Sequence, residues 1–220
     1  MSETMTTDVS DVCIEPDALA ALLGVPEDAT SIVIFAHGSG SGRLSPRNNY
    51  VAAALRRAGL ATFLLDLLTP QEESDRRNVF DIDLLAARLA LATRWIGRQS
   101  ATADLIPGYF GASTGAAAAL TAAAQPDANV RAVVSRGGRP DLAIDVLPKV
   151  RAPTLLLVGS LDGPVIAMNR RAYDALATEK RMIIVEGAGH LFEEAGTLDQ
   201  VVHHATAWFK RHLGAAAGGP

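Results

Sequence analysis

Short apolar runs alternate with longer stretches of helical periodicity along this chain. The runs Ser31–Ala36, Ala61–Asp66, Leu105–Phe110, Val130–Ser135, Thr154–Gly159 and Arg181–Glu186 are apolar along most of their length rather than at every second residue. That is the pattern of strands covered on both faces. A weaker segment, Ala18–Val25, reads as an antiparallel edge strand. Between the runs, Ile82, Leu85, Leu89, Ala92 and Ile96 recur at steps of three and four, as do Leu198, Val201, Ala205, Trp208 and His212. Val165, Met168, Ala172 and Ala175 begin the same way. Each set predicts a helix that lays one apolar face on a sheet. Thr114–Ala124 is almost all Ala and Leu, has no polar face, and so predicts a buried helix. Strand–helix–strand alternation at this spacing predicts an α/β fold, a mostly parallel sheet with helices on both faces. One domain over residues 1–220 accommodates it, with the ends up to about Ser10 and from Gly214 to Pro220 read as loose.

Composition narrows the function. The chain has 220 residues, 49% of them hydrophobic and 20% charged, which is ordinary for a globular domain. The mean hydropathy of +0.18 owes much to Ala, and no run of about 18 strongly apolar residues exists to span a bilayer. The net charge is −4, without a basic block, so neither nucleic acid nor an anionic membrane is an expected partner. Met1–Ser10 lacks the basic and apolar regions of a signal peptide, and the single Cys13 cannot form an internal disulfide. A cytoplasmic protein acting on a small molecule is the expectation.

Gly111-Ala112-Ser113-Thr114-Gly115 fits G-x-S-x-G, directly after a predicted strand and directly before the buried Ala-rich helix. In that context the turn is tight enough to strain Ser113, and side chains at 111 and 115 would collide with neighbouring chain. Ser113 Oγ would stand above the carboxyl edge of the sheet, beside the Thr114 amide at the helix N-terminus. A serine hydroxyl needs a base to become a nucleophile, and the base needs an orienting acid. Asp162 follows the strand Thr154–Gly159, and His190 follows the strand Arg181–Glu186, each on a loop at the same sheet edge. The order Ser, Asp, His suits this architecture. Asp141 and Asp66 are rival acids, and Asp162 is equally good N-cap chemistry before Pro164–Leu176.

The loop His37-Gly38-Ser39-Gly40-Ser41-Gly42 has two readings. A dinucleotide fingerprint would need Gly at position 43, which is Arg43, and helix entry is delayed to Ser45-Pro46. The better reading is a loop that supplies an amide to an oxyanion hole, with Ser39 N–H the first choice and Gly40 the next. His37 reads as a loop anchor.

A strand followed by HGSGS, then G-x-S-x-G, a post-strand Asp and G-x-G-H resembles the α/β-hydrolase superfamily over about residues 18–212. The compact size and the HGSGSG…SPRN stretch resemble its dienelactone hydrolase-like branch, although the founding members carry Cys where this chain has Ser113. The resemblance implies Ser113 as nucleophile, Asp162 as acid, His190 as base, Ser39 and Thr114 as oxyanion amides, and no metal or organic cofactor. It implies a serine hydrolase of small esters, lactones or thioesters. A non-catalytic receptor or an acyltransferase or lyase on the same fold are the alternatives. Larger members carry a helical lid where only Arg136–Pro153 intervenes here, room for one short helix at Leu142–Leu147, so an open site is expected. Arg43, Arg136 and Arg139 lie on the catalytic edge. They would anchor an anionic substrate, or else pair with Asp66, Asp141 or Glu193. Gln71–Arg77 reads as a solvated loop.

Overall fold

A computed structural model describes residues 9–214. Eight strands form one sheet: β1 Val9–Ile14, β2 Leu19–Gly24, β3 Ser31–Ala36, β4 Ala61–Leu65, β5 Ile106–Ala112, β6 Val133–Arg136, β7 Thr154–Gly159 and β8 Lys180–Val185. Their order is β1-β2-β4-β3-β5-β6-β7-β8, with β2 antiparallel to both neighbours and β4 to β8 running parallel. The helices are α1 Pro46–Arg57, α2 Pro70–Glu73, α3 Arg76–Val79, α4 Ile82–Ile96, α5 Thr114–Ala123, α6 Gly163–Ala175 and α7 Thr197–Leu213.

The uniformly apolar strands are explained by two cores. Ile32, Ile34, Tyr109 and Val133 pack toward α4 and α5 on one face. Val33, Phe35, Phe110 and Val134 pack toward α1 and α7 on the other. Alternation is hidden because both sides of the pleat are covered. Phe35 and Phe110 meet through the second core at a ring separation of 4.9 Å. α4 buries Leu85, Ala86, Leu89, Ala92 and Ile96, and α7 buries Val201, Ala205, Trp208, Phe209 and Leu213. Every residue of α5 is buried.

Several expectations are corrected. The segment Ala18–Val25 forms β2, antiparallel as expected but one place in from the edge, because Val9–Ile14 adds β1 outside it. β1 has exposed residues along most of its length and so lacks an apolar run, and its first residues include Ser10, read above as loose. Gly214 caps α7, and positions 215–220 lie outside the described residues. β6 starts at Val133, not Val130. Pro140–Ala143 and Leu147–Lys149 are two 3₁₀ turns instead of one helix over Leu142–Leu147, since Pro140 and Pro148 favour short turns. Gln71–Arg77 is not a bare loop but falls within α2 and α3, which have no buried residue and so show no stripe. A capping box between Thr69 and Glu72 starts α2, and Arg88 on α4 pairs with both Glu72 and Asp17.

The connections position the site. From β3 the chain moves to β4 on one side, then returns to place β5 on the other side of β3. The loops leaving β3 and β5 therefore diverge and open a crevice at the carboxyl edge, where open α/β sheets bind ligands. Among the described residues no helix is long and apolar enough to cross a membrane. Leu89 is fully buried between α4 and the sheet. Leu89→Ala should lower the urea midpoint without changing the slope, a loss of about 3 kcal/mol.

Candidate active site

Ser113 lies in the turn between β5 and α5 with φ +50° and ψ −123°, a conformation that a residue with a side chain rarely adopts. Neighbouring backbone enforces it. A Cβ on Gly115 would lie 2.2 Å from the Ala36 carbonyl oxygen, and one on Gly111 would lie 2.5 Å from Ala116 Cα. The turn is held from the other side by Arg139 N–H, which donates to the Ser113 carbonyl at 3.0 Å, and by Ser113 N–H donating to the Arg136 carbonyl at 3.4 Å.

Asp162 and His190 meet. His190 Nδ1 lies 2.7 Å from Asp162 Oδ2. A carboxylate only accepts, so Nδ1 carries the proton and Nε2 is left as the acceptor nitrogen. Asp162 occupies the N-cap position of α6 but makes no capping bond, so its carboxylate serves His190 instead. Neither Glu193 nor Glu194 takes His190: Glu193 pairs with Arg47, and Glu194 accepts from Gly189 N–H. The two loops are stitched together, with Leu161 N–H donating to the Ala188 carbonyl and Gly187 N–H to Ser160 Oγ.

The turn Arg136-Gly137-Gly138-Arg139 stands between Ser113 and His190. Its ends bond the Ser113 backbone, while a Cβ on Gly137 would come within 2.9 Å of the His190 carbonyl oxygen and 3.7 Å of Nδ1. A Cβ on Gly138 would lie 2.0 Å from Ser135 Oγ, and the Gly138 carbonyl is held by the buried Asn169 side chain. The functional signal in this stretch lies in its glycine pair as well as its arginines, since a Gly-Gly dipeptide marks close backbone approach. Ser113 Oγ makes no hydrogen bond to His190 or to any other described residue. Such bonds commonly tighten only with substrate in place.

The rival acids are engaged elsewhere. Asp66 accepts from Arg43 N–H at 2.6 Å and from the Arg43 guanidinium at 2.5 Å, closing the loop after β3. Asp141 holds Arg139 in a two-bond fork, which raises the arginine pKa further. Arg43 and Arg139 thus have carboxylate partners. Arg136 has none: it is 6% exposed, bonds only the Asn48 side chain and the Leu191 carbonyl, both at 3.4 Å, and faces the Phe192 ring. Burial, with Arg47 nearby, lowers its pKa to about 10, so it stays a cation at neutral pH.

Ser39 departs from expectation. Its N–H donates to Thr114 Oγ1 at 3.1 Å, so the amide is already engaged. His37 is the anchor the sequence suggested: Nε2 accepts from Leu67 N–H at 2.9 Å, and Nδ1 faces the Gly38 carbonyl. A depression of about 490 Å³ beside this loop is lined by Gly40, Arg43, Arg47, Asp66 and Glu73 among others. A cavity of about 620 Å³ lies between α4 and α5 around Tyr109 and Thr93, and none of the groups just described lines it.

No family model matches the chain. The crystal structure of a dienelactone hydrolase from Anabaena variabilis is similar over 94% of this chain and 98% of that one, with 53% identity and a TM-score of 0.90. This chain belongs to the dienelactone hydrolase family. Its α/β-hydrolase fold is shared with Est1E from Butyrivibrio proteoclasticus, 13% identical, with a TM-score of 0.78 over 94% of this chain and 98% of that one. Two curated Mycobacterium tuberculosis proteins, from strains CDC 1551 and H37Rv, are 59% identical over 198 residues and carry the name "Putative phosphoribosyl transferase". The match covers 90% of this chain but 45% of theirs, so the chain spans about half the length of these relatives. The family and fold support a hydrolase.

In this family member the strained turn depends on Gly115. Helix propensity alone would make Gly115→Ala stabilising by about 1 kcal/mol. The clash with Ala36 and His37 backbone reverses the sign, and a loss of about 3 kcal/mol is expected in thermal or urea unfolding. A raised melting temperature would overturn the close-approach account.

Proposed function

We propose that the chain is a serine hydrolase that cleaves a small carboxylic ester, lactone or thioester through an acyl-enzyme. One observation carries the reading: Ser113 is held at φ +50° on the carboxyl edge where His190 Nδ1 and Asp162 Oδ2 pair at 2.7 Å. His190 Nε2 takes the Ser113 hydroxyl proton as Oγ attacks the carbonyl carbon. Asp162 holds the imidazole and stabilises its cation. The proton then passes to the leaving oxygen or sulfur as the carbonyl–leaving-group bond breaks. Water, giving its proton to His190, attacks the acyl-serine, and His190 passes that proton to Ser113 Oγ as the Oγ–acyl bond breaks and the acid is released. An alcohol in place of water would make an ester, so product analysis with added alcohols separates hydrolysis from acyl transfer. The name of the curated relatives describes proteins of which this chain spans 45%, and a strained serine on the sheet edge that also carries a paired imidazole favours acyl chemistry here.

Arg136 adjoins Ser113 through its backbone, its carbonyl accepting the Ser113 N–H at 3.4 Å. A buried cation without a carboxylate favours an anion nearby even without direct contact, because the low dielectric screens it poorly. Substrates carrying a carboxylate are therefore favoured over neutral ones.

Ser113→Ala should lower turnover of p-nitrophenyl acetate by at least about 10³-fold while leaving the melting temperature in place. Retention of most turnover would sink the assignment. Arg136→Gln should raise KM for a p-nitrophenyl hemisuccinate by about tenfold more than for the acetate, measured side by side. Equal changes for both esters would remove the preference for anions.

A further inference from the structure

Thr114, the residue after Ser113, is 4% exposed, and its hydroxyl oxygen accepts the Ser39 N–H across the crevice. A hydroxyl has two acceptor positions and one proton. The Thr114 proton has no acceptor among the described residues, and neither has the Thr114 N–H at the start of α5. The side chain lines a small void together with Gly38, Ser39 and Gly40 from the loop after β3, and Leu68 and Val79 from the facing wall. Two donors of one residue thus stand free next to Ser113. The amide that the loop was expected to offer is consumed in holding one of them.

We propose that the Thr114 hydroxyl is a catalytic donor of the oxyanion hole. Ser39 N–H donates to Thr114 Oγ1, which fixes the hydroxyl and polarises its O–H. Thr114 O–H and Thr114 N–H together receive the oxyanion formed when Ser113 attacks. The Ser39 amide acts through the hydroxyl and is a positioning group. The opposite arrangement, in which Thr114 merely withholds the amide from the oxyanion, makes the hydroxyl inhibitory. The two differ in the sign of what removing it does.

The proposal rests on the serine hydrolase reading, and the experiment separates them. Thr114→Val keeps the shape and removes the hydroxyl, Thr114→Ala removes it without bulk, and Thr114→Ser restores it. With p-nitrophenyl acetate, Val and Ala variants should lose about 10²-fold in kcat with KM within about threefold, while Ser stays within about fivefold of the parent. The rate at which a fluorophosphonate labels Ser113 should fall in the same order. Circular dichroism melts show which variants are folded, and the Ala and Ser pair decides the matter if Val is not. Val or Ala activity at or above that of the parent overturns the proposal and makes the Ser39 amide the donor. A parent protein that neither hydrolyses the ester nor takes the label overturns the hydrolase reading, and this proposal with it.

Discussion

The approach of the β5–α5 turn to the end of β3 is the constraint on which the site depends. Only hydrogen fits between position 115 and the carbonyl oxygens of Ala36 and His37, and only hydrogen fits between position 111 and the first turn of α5. That contact sets where α5 starts, and it holds Ser113 at a positive φ that the residue would not adopt alone. Such strain costs on the order of 1–3 kcal/mol and persists only where surroundings over-determine it. Here they do. α5 has no exposed residue, and its Ala side chains let it sit close against α4 and the sheet. The high Ala content that raised the mean hydropathy is thus the packing condition for the turn.

The same edge shows why side-chain identity and loop position carry different information. Asp162 and His190 come from loops joined by backbone bonds that involve neither side chain, so the pair is assembled by the fold before any substrate arrives. Arg43 and Arg139 stiffen the loops on either side by pairing with Asp66 and Asp141. Arg136 is different in kind. An ionised group so far from water is costly unless paired, and its two bonds to neutral oxygens are long. What it does accomplish in the fold is to tie Leu191, next to His190, to Asn48 on α1.

Much of this was legible in sequence because the relevant signals are local. An apolar run followed by G-x-S-x-G, and single Asp and His residues just past later strands, fix positions along the carboxyl edge once the sheet is parallel. Ser45-Pro46 read correctly as cap and first turn because Ser45 Oγ accepts the Asn48 N–H. Most of the misses share a physical cause, the absence of an apolar pattern, although the Thr69–Glu72 capping box of α2 is itself a local signal. β1 is an exposed strand whose partner is its own hairpin mate, so hydrophobicity could not announce it. α2 and α3 are single turns with no buried residue. The bond from Ser39 to Thr114 joins residues far apart in the chain, and only the crevice geometry brings them together.

The short helices α2 and α3 also change what an open site means here. Among the described residues only two 3₁₀ turns stand between β6 and β7, on one side of the site. The opposite wall, however, is built. Leu68, Glu73 and Val79, with Leu85 of α4, face Gly38, Ser39, Gly40 and Thr114 across the small void. Arg88 anchors that wall by pairing with Glu72 of α2 and with Asp17 of the first hairpin. The antiparallel hairpin at the far edge of the sheet is thereby linked to the lining of the crevice, through one half-buried arginine. That wall is held by the core, which includes Leu68 and Leu85 with Val79 packed against it, as well as by the Arg88 charge pairs.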